Sequence, residues 1–201
     1  ETIYVYYGNT TVVSSTSNGT ATFIFFDDFE SGNLNQWTII SGSGFSVDDI
    51  TFSPNKVLKG WYTTYIEPKD VIRSNTLIGN EGIMEYKIYP ISTDAGAIVW
   101  VQGASDQPLH LLPHYGANIY YWSGNDWTLI ASGTNYRTDL AWNKEKIVFK
   151  ADGSLYAYTN DNLAVSTGGR TPISGYIGFR IGAGTFYVDD VRVRKYTSPE
   201  P

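Results

Sequence analysis

The stretch Thr185-Phe186-Tyr187-Val188-Asp189-Asp190-Val191-Arg192-Val193-Arg194-Lys195-Tyr196 decides how the rest of this 201-residue chain is read. A period of two puts Tyr187, Asp189, Val191 and Val193 on one strand face and Asp190, Arg192 and Arg194 on the other. The second set suits solvent. The first suits a core, yet it contains a carboxylate, which needs a cation, a metal or several donors to offset its desolvation. A second acidic cluster, Asp27-Asp28-Phe29-Glu30, stands near the front, ahead of Gly32 and Trp37. The expectation is a β-sandwich whose first and last strands meet, with these acids gathered around a calcium ion.

Composition agrees with strands. There are 16 Tyr, 9 Phe and 6 Trp against one Met, with 20 Gly and 8 Pro, and no window keeps a helical period. A net charge of −6 argues against nucleic acid and against an anionic membrane surface. No apolar run is long enough to span a bilayer as a helix, and no cysteine is present to frame the fold. The chain starts at Glu1 without Met, as expected of a piece of a longer precursor. Asn9 and Asn18 begin glycosylation acceptor patterns, Asn9-Thr10-Thr11 and Asn18-Gly19-Thr20, which point to an extracellular or cell-surface location.

Three segments are expected. Residues 1–26 hold the aromatic strand Ile3, Tyr4, Val5, Tyr6 and Tyr7, followed by a Ser/Thr-rich linker. An exposed strand of this kind invites pairing, so it is a candidate donor to another domain or subunit. Residues 27–196 form the main domain and 197–201 a tail. Within the main domain, strands are expected at 37–40, 61–66, 82–89 (closed by Pro90), 97–102, 109–114, 117–122, 127–130, 142–150 and 155–158. Gly175 to Arg180 should be the penultimate strand, with Gly182-Ala183-Gly184 turning into the last one. Trp37 and Trp142 are expected in the core.

This order resembles the concanavalin A-like jelly roll shared by laminarin-type glucanases, laminin-G-like domains and many carbohydrate-binding modules. Phe26 to Gly32 with Trp37 is similar to the family's opening strand. Trp142 to Phe149, Asp152-Gly153 and Leu155 to Tyr158 are similar to its common hairpin. Gly175 to Gly178 and Tyr187 to Val193 are similar to its closing strands. Ile3 to Asn9 also resembles the last strand of a domain of unknown function that precedes this jelly roll in archaeal and bacterial surface proteins. The resemblance implies an all-β, two-sheet antiparallel sandwich with an extended N-terminal strand. It also implies a calcium ion bridging the opening and closing strands, with Asp28, Glu30 and Asp189 as its ligands.

The glucanases of the family carry Glu-x-Asp-x-x-Glu, or one residue fewer, on one strand, aiming two carboxylates at one sugar. Glu81 and Glu85 lack the intervening aspartate, and Ala97 to Gln102 has no acid, so no hydrolase is expected. His110 and His114, with Asp106 nearby, would need a third ligand to hold zinc, and Pro113 opposes the helix that would make their spacing informative. Aromatic and amide-bearing positions remain. Trp100, Gln102, Asp106, His110, Tyr120, Trp122 and Trp127 lie on strands and loops that would line one sheet face and its rim, the mixture that stacks on sugar rings and fixes their hydroxyls. The reading is a non-catalytic, calcium-stabilised carbohydrate-binding domain. Its alternative is a filament or surface-layer subunit whose residues 1–26 donate a strand to a neighbour.

Overall fold

A computed structural model describes residues 19–51, 53, 55–63, 70–100, 108–112, 117–122, 127–134, 137–169 and 174–198. After one helical turn, α1 (Gly19–Thr22), these residues form antiparallel strands β1 (Phe25–Asp27), β2 (Trp37–Ser41), β3 (Phe45–Asp49), β4 (Lys56–Trp61) and β5 (Asp70–Ser74). They continue as β6 (Gly82–Trp100), β7 (Pro108–Leu112), β8 (Asn118–Trp122), β9 (Trp127–Ser132), β10 (Asn143–Phe149), β11 (Leu155–Thr159), β12 (Asn162–Thr167) and β13 (Ile177–Arg194).

Two of these strands are long enough to belong to both layers of a sandwich. The first half of β6 and the second half of β13 pair inside sheet I, ordered β12-β11-β10-β6-β13-β4-β3, with β1 beside the end of β13. Their other halves pair inside sheet II, ordered β2-β5-β13-β6-β7-β8-β9. The chain is thus the expected concanavalin A-like jelly roll.

The core lies between the sheets. Met84, Tyr86, Ile88, Ile147, Phe149, Phe186 and Val188 face it from sheet I, and Trp37, Ile72, Ile119, Phe179 and Ile181 from sheet II. Burying each such side chain contributes roughly 1.5–3 kcal/mol. A run of rings links the layers, with Trp37 5.8 Å from Phe179 and Phe179 6.1 Å from Phe186 between centroids. Gly60 belongs to this packing, since a Cβ there would run into the Phe186 ring.

Several local expectations change. Pro90 does not close a strand; β6 runs through it to Trp100, because Pro90 stands just past the last β10 partner, Asn143 opposite Ile88. Gly182-Ala183-Gly184 is not a hairpin turn but a bend inside β13, where the register shifts on either side of Ala183 and Gly184 takes φ 74°. The strand expected at 61–66 meets β4 only at Trp61, where β4 ends, and residues 64–66 lie outside the described residues. Trp142 is not in the core: it is half-buried against Tyr89, ring centroids 5.6 Å apart. The hairpin β11–β12 escaped notice. Its turn residues, Asn160 and Asp161, both take positive φ, as a type I′ turn requires.

An ion pair is buried between the sheets. Arg137 donates from Nε to Glu145 Oε1 at 3.1 Å and from a terminal nitrogen to the Tyr86 hydroxyl at 3.3 Å, while the Thr159 hydroxyl donates to the same Glu145 oxygen. The side chains are 0% and 2% exposed. Burial pushes Glu145 up from the usual carboxylate range, against the pull of Arg137. Removing one partner strands a charge. Arg137→Met should therefore cost about 3–5 kcal/mol in urea unfolding, whereas Arg137→Met with Glu145→Met should recover most of that loss.

Candidate functional site

Three places were expected to carry function, and the first is the acidic corner. β4 pairs with β13 as far as Leu58 opposite Val188, and β1 takes over at Asp27 opposite Val191. Asp189 and Asp190 occupy the gap between the two partners. Asp190 takes φ 54°, and the register slips between Asp189 and Arg192. This bulge breaks the strand's parity. Phe186 and Val188 face the core before it, Val191 and Val193 after it, so Tyr187 and Asp189 do not share the core face of Val191 as the period of two implied.

Asp189 is nevertheless 4% exposed. It accepts the N–H of Asp190 at 2.8 Å and a hydrogen bond from the Asn55 side chain. Burial, with the neighbouring charge of Asp190, pushes its carboxyl up to about 6. Such an under-compensated carboxylate fits a cation ligand.

The partners expected for it are differently occupied. Asp28 Oδ1 accepts the N–H of Glu30 at 3.3 Å, and Glu30 Oε1 accepts the N–H of Lys56 at 2.8 Å, pinning β4 to the turn after β1. Among the described residues no three acidic or histidine side chains are grouped to hold a metal. Asp27, part of the acidic cluster but not among the three expected ligands, is structural: it accepts the N–H of Phe29 at 2.8 Å and of the Trp37 indole at 2.7 Å.

The second place is the face of sheet II away from the core. Backbone register aligns Thr38, Arg73, Gly178, Ile98, His110, Tyr120 and Leu129 in one row across all seven strands. Two residues further along the strands, Trp100 stands opposite Pro108 and Trp122 opposite Trp127. Trp100, His110, Tyr120, Trp122 and Trp127 are therefore all on this face by register. Gln102 and Asp106 lie outside the described residues.

Residues that sequence reading missed join the same face. The Arg73 guanidinium lies 3.9 Å from the Tyr176 ring centroid, Leu129 is 51% exposed, and Asn118 donates to the Tyr120 hydroxyl at 3.4 Å. Val71 and Arg180, opposite each other in register, are 4% and 5% exposed although they point away from the core. A buried Arg on an outer face marks a sheltered surface. Register alone could not reveal this from sequence, because Arg73 and Tyr176 are 103 positions apart.

The third place, the strand Ile3 to Tyr7 and the acceptors Asn9 and Asn18, lies outside the described residues. Glu85, one of the two glutamates weighed for catalysis, accepts Arg192 Nε at 3.0 Å, and Glu81 is exposed.

Asp189 makes a signed forecast. A carboxyl held at about 6 when folded, against an ordinary value near 4, favours the folded state below pH ~4 and loses that advantage as the pH rises to about 6. In metal-free buffer, Asp189→Asn should stabilise the chain at pH 7 by roughly 1–3 kcal/mol. The gain should vanish near pH 4, and an equal gain at both values would refute the assignment.

The sequence profile of a family described as a domain of unknown function (DUF2341) matches residues 1–40. No curated protein matches the sequence. Solved structures are similar in fold. A carbohydrate binding module, CBM66 of Bacillus subtilis, has a TM-score of 0.61 at 15% identity, covering 81% of this chain and 98% of that one. A Bacteroides ovatus family 16 endo-glucanase has 0.62 at 12%, covering 85% and 99%. A Bacillus subtilis protein of unknown function with a galectin-like fold has 0.63 at 13%, covering 87% and 96%.

Proposed function

We propose that this chain is a non-catalytic, extracellular carbohydrate-binding module that binds neutral glycan on the outer face of sheet II. The carrying observation is the register that aligns Trp100, His110, Tyr120, Trp122 and Trp127 on one face, beside the Arg73–Tyr176 stack. Flat rings offer area to the apolar side of a sugar at little entropic cost, and adjacent polar groups fix its hydroxyls. Likeness to a carbohydrate binding module supports the reading, while likeness to an endo-glucanase leaves a catalytic relative in the same fold. The engagement of Glu85 by Arg192 favours binding over hydrolysis.

Calcium belongs to the same proposal. Asp189 would hold it, joined by Asp28 and by the backbone of Glu30, whose carboxylate is already committed to Lys56. The ion would supply positive charge to a corner where β1, β4 and β13 part, fastening the sandwich rather than touching the sugar. The alternative, strand donation by residues 1–26, rests on the aromatic strand Ile3 to Tyr7, which lies outside the described residues.

Affinity electrophoresis through barley β-glucan and arabinan tests the binding face. Retardation in at least one gel is expected, weakened tenfold or more by Trp122→Ala, a loss of about 1.4 kcal/mol. Free migration in both gels across the neutral pH range would remove the support. For calcium, EGTA should lower the melting temperature of the wild type and leave that of Asp189→Ala unmoved. An identical EGTA response in both would exclude Asp189 as the ligand.

A further inference from the structure

The outer face of sheet I carries a charge pattern opposite to that of the whole chain. Its strands present Lys59, Lys87, Lys144, Lys146, Arg192 and Arg194, and Lys150 follows directly on β10. The acids that reach them are Asp48, Glu85, Asp161 and Asp190, all in ion pairs, Asp189 opposite Lys87, and Asp152 beside Lys150. Cations therefore outnumber acids on this face, although the chain has 20 acidic and 14 basic residues.

Rings contact two of these cations, Lys146 and Lys150, the second of which also has Asp152 beside it. Lys146 Nζ lies 4.4 Å from the Tyr158 ring centroid, and Lys150 Nζ lies 4.7 Å from Tyr156 and 5.2 Å from Tyr196. An aromatic face steadies an ammonium group without cancelling its charge. Lys146 makes no ion pair among the described residues. Register sets Tyr158, Lys146, Glu85, Arg192 and Phe26 in one row across five strands. A groove of about 130 Å³ follows this row, lined by Lys87, Lys144, Lys146, Arg192 and Tyr158, and by Glu85, Asp161, Asp190 and the buried Glu145.

We infer that this face is a second binding surface, specific for a linear acidic polysaccharide of the uronate class. Its carboxylates meet Lys146 and Arg192, and its ring faces lie along the flanking aromatic side chains. Lys146 and Arg192 are two strands apart, about 10 Å, a span that one small anion cannot bridge and successive charges on a polymer can. Duplex DNA, with a charge every ~1.7 Å, would need more cations than this face has in surplus, and the net charge of −6 repels it. The surface is on the opposite layer from the neutral-glycan face and does not rest on that reading.

The test is affinity electrophoresis of the whole chain through polygalacturonate, barley β-glucan and a DNA duplex, each at 20 mM and 500 mM NaCl. At low salt, polygalacturonate should bind at least tenfold more tightly than β-glucan, and the preference should disappear at high salt. Lys146→Gln alone should weaken it severalfold. Lys146→Gln with Arg192→Gln should bring polygalacturonate down to parity with β-glucan, at a melting temperature within a few degrees of the wild type. The inference is overturned if polygalacturonate has no advantage at low salt, if the folded double variant keeps that advantage, or if DNA binds as tightly as polygalacturonate.

Discussion

The pairing of β6 with β13 is the constraint on which the molecule depends. These strands stay side by side from Ile177 opposite Val99 to Arg194 opposite Ile83, passing out of one sheet and into the other. Among the described residues every other strand joins this pair directly or through a chain of neighbours, which starts with β10 and β7 on β6 and with β1, β4 and β5 on β13. Because each backbone N–H and C=O must find a partner when buried, a pair this long fixes the relative placement of both layers before any side chain is considered. Side chains then complete what the backbone sets, with Phe179 and Phe186 on one strand entering the shared core from different sheets.

Much of the architecture was legible because strand alternation and turn chemistry are local. Val191 and Val193 read as core and are core, and β8 and β9 fall where their aromatic runs put them. The failures share a physical cause. A period of two holds only until a bulge, and the bulge at Asp190 needs a positive φ on a non-glycine residue, which no pattern announces. Gly182-Ala183-Gly184 has turn composition but sits in a bend, since glycine relaxes backbone geometry in either setting. Trp142 was expected inside because tryptophan is large and apolar. It instead packs on Tyr89 on the outer surface, where it is only partly exposed.

The candidate sites were legible to different depths. The acidic corner was identified from sequence through Asp189, but the roles of its members were not: Asp27 and Glu30 are engaged by Phe29, Trp37 and Lys56 backbone or indole groups, contacts that depend on three separate strands meeting. The aromatic positions on β6 to β9 were grouped by analogy, and register now gives that grouping a geometric basis. The basic row on sheet I passed unnoticed because its members lie on strands scattered from Phe26 to Arg194 and appear in the sequence only as ordinary solvated charges. The two layers thereby present different outer surfaces, one sheltering a stacked arginine and aromatic positions, the other ordered by ion pairs and cation–ring contacts.

The short pairing of β1 with the end of β13 also has a mechanical meaning. Phe25 lies opposite Val193, and Ile24 donates its N–H to the Val193 carbonyl, so the chain enters and leaves this layer side by side. Tension applied between the entering and leaving segments loads these hydrogen bonds one after another, in the manner of a zipper, and not all at once as in a sheared pair. The rupture of β1 then exposes Phe25 and frees the turn in which Asp27 holds Trp37. Under load the jelly roll opens at this seam first, with the long β6–β13 pair still intact behind it.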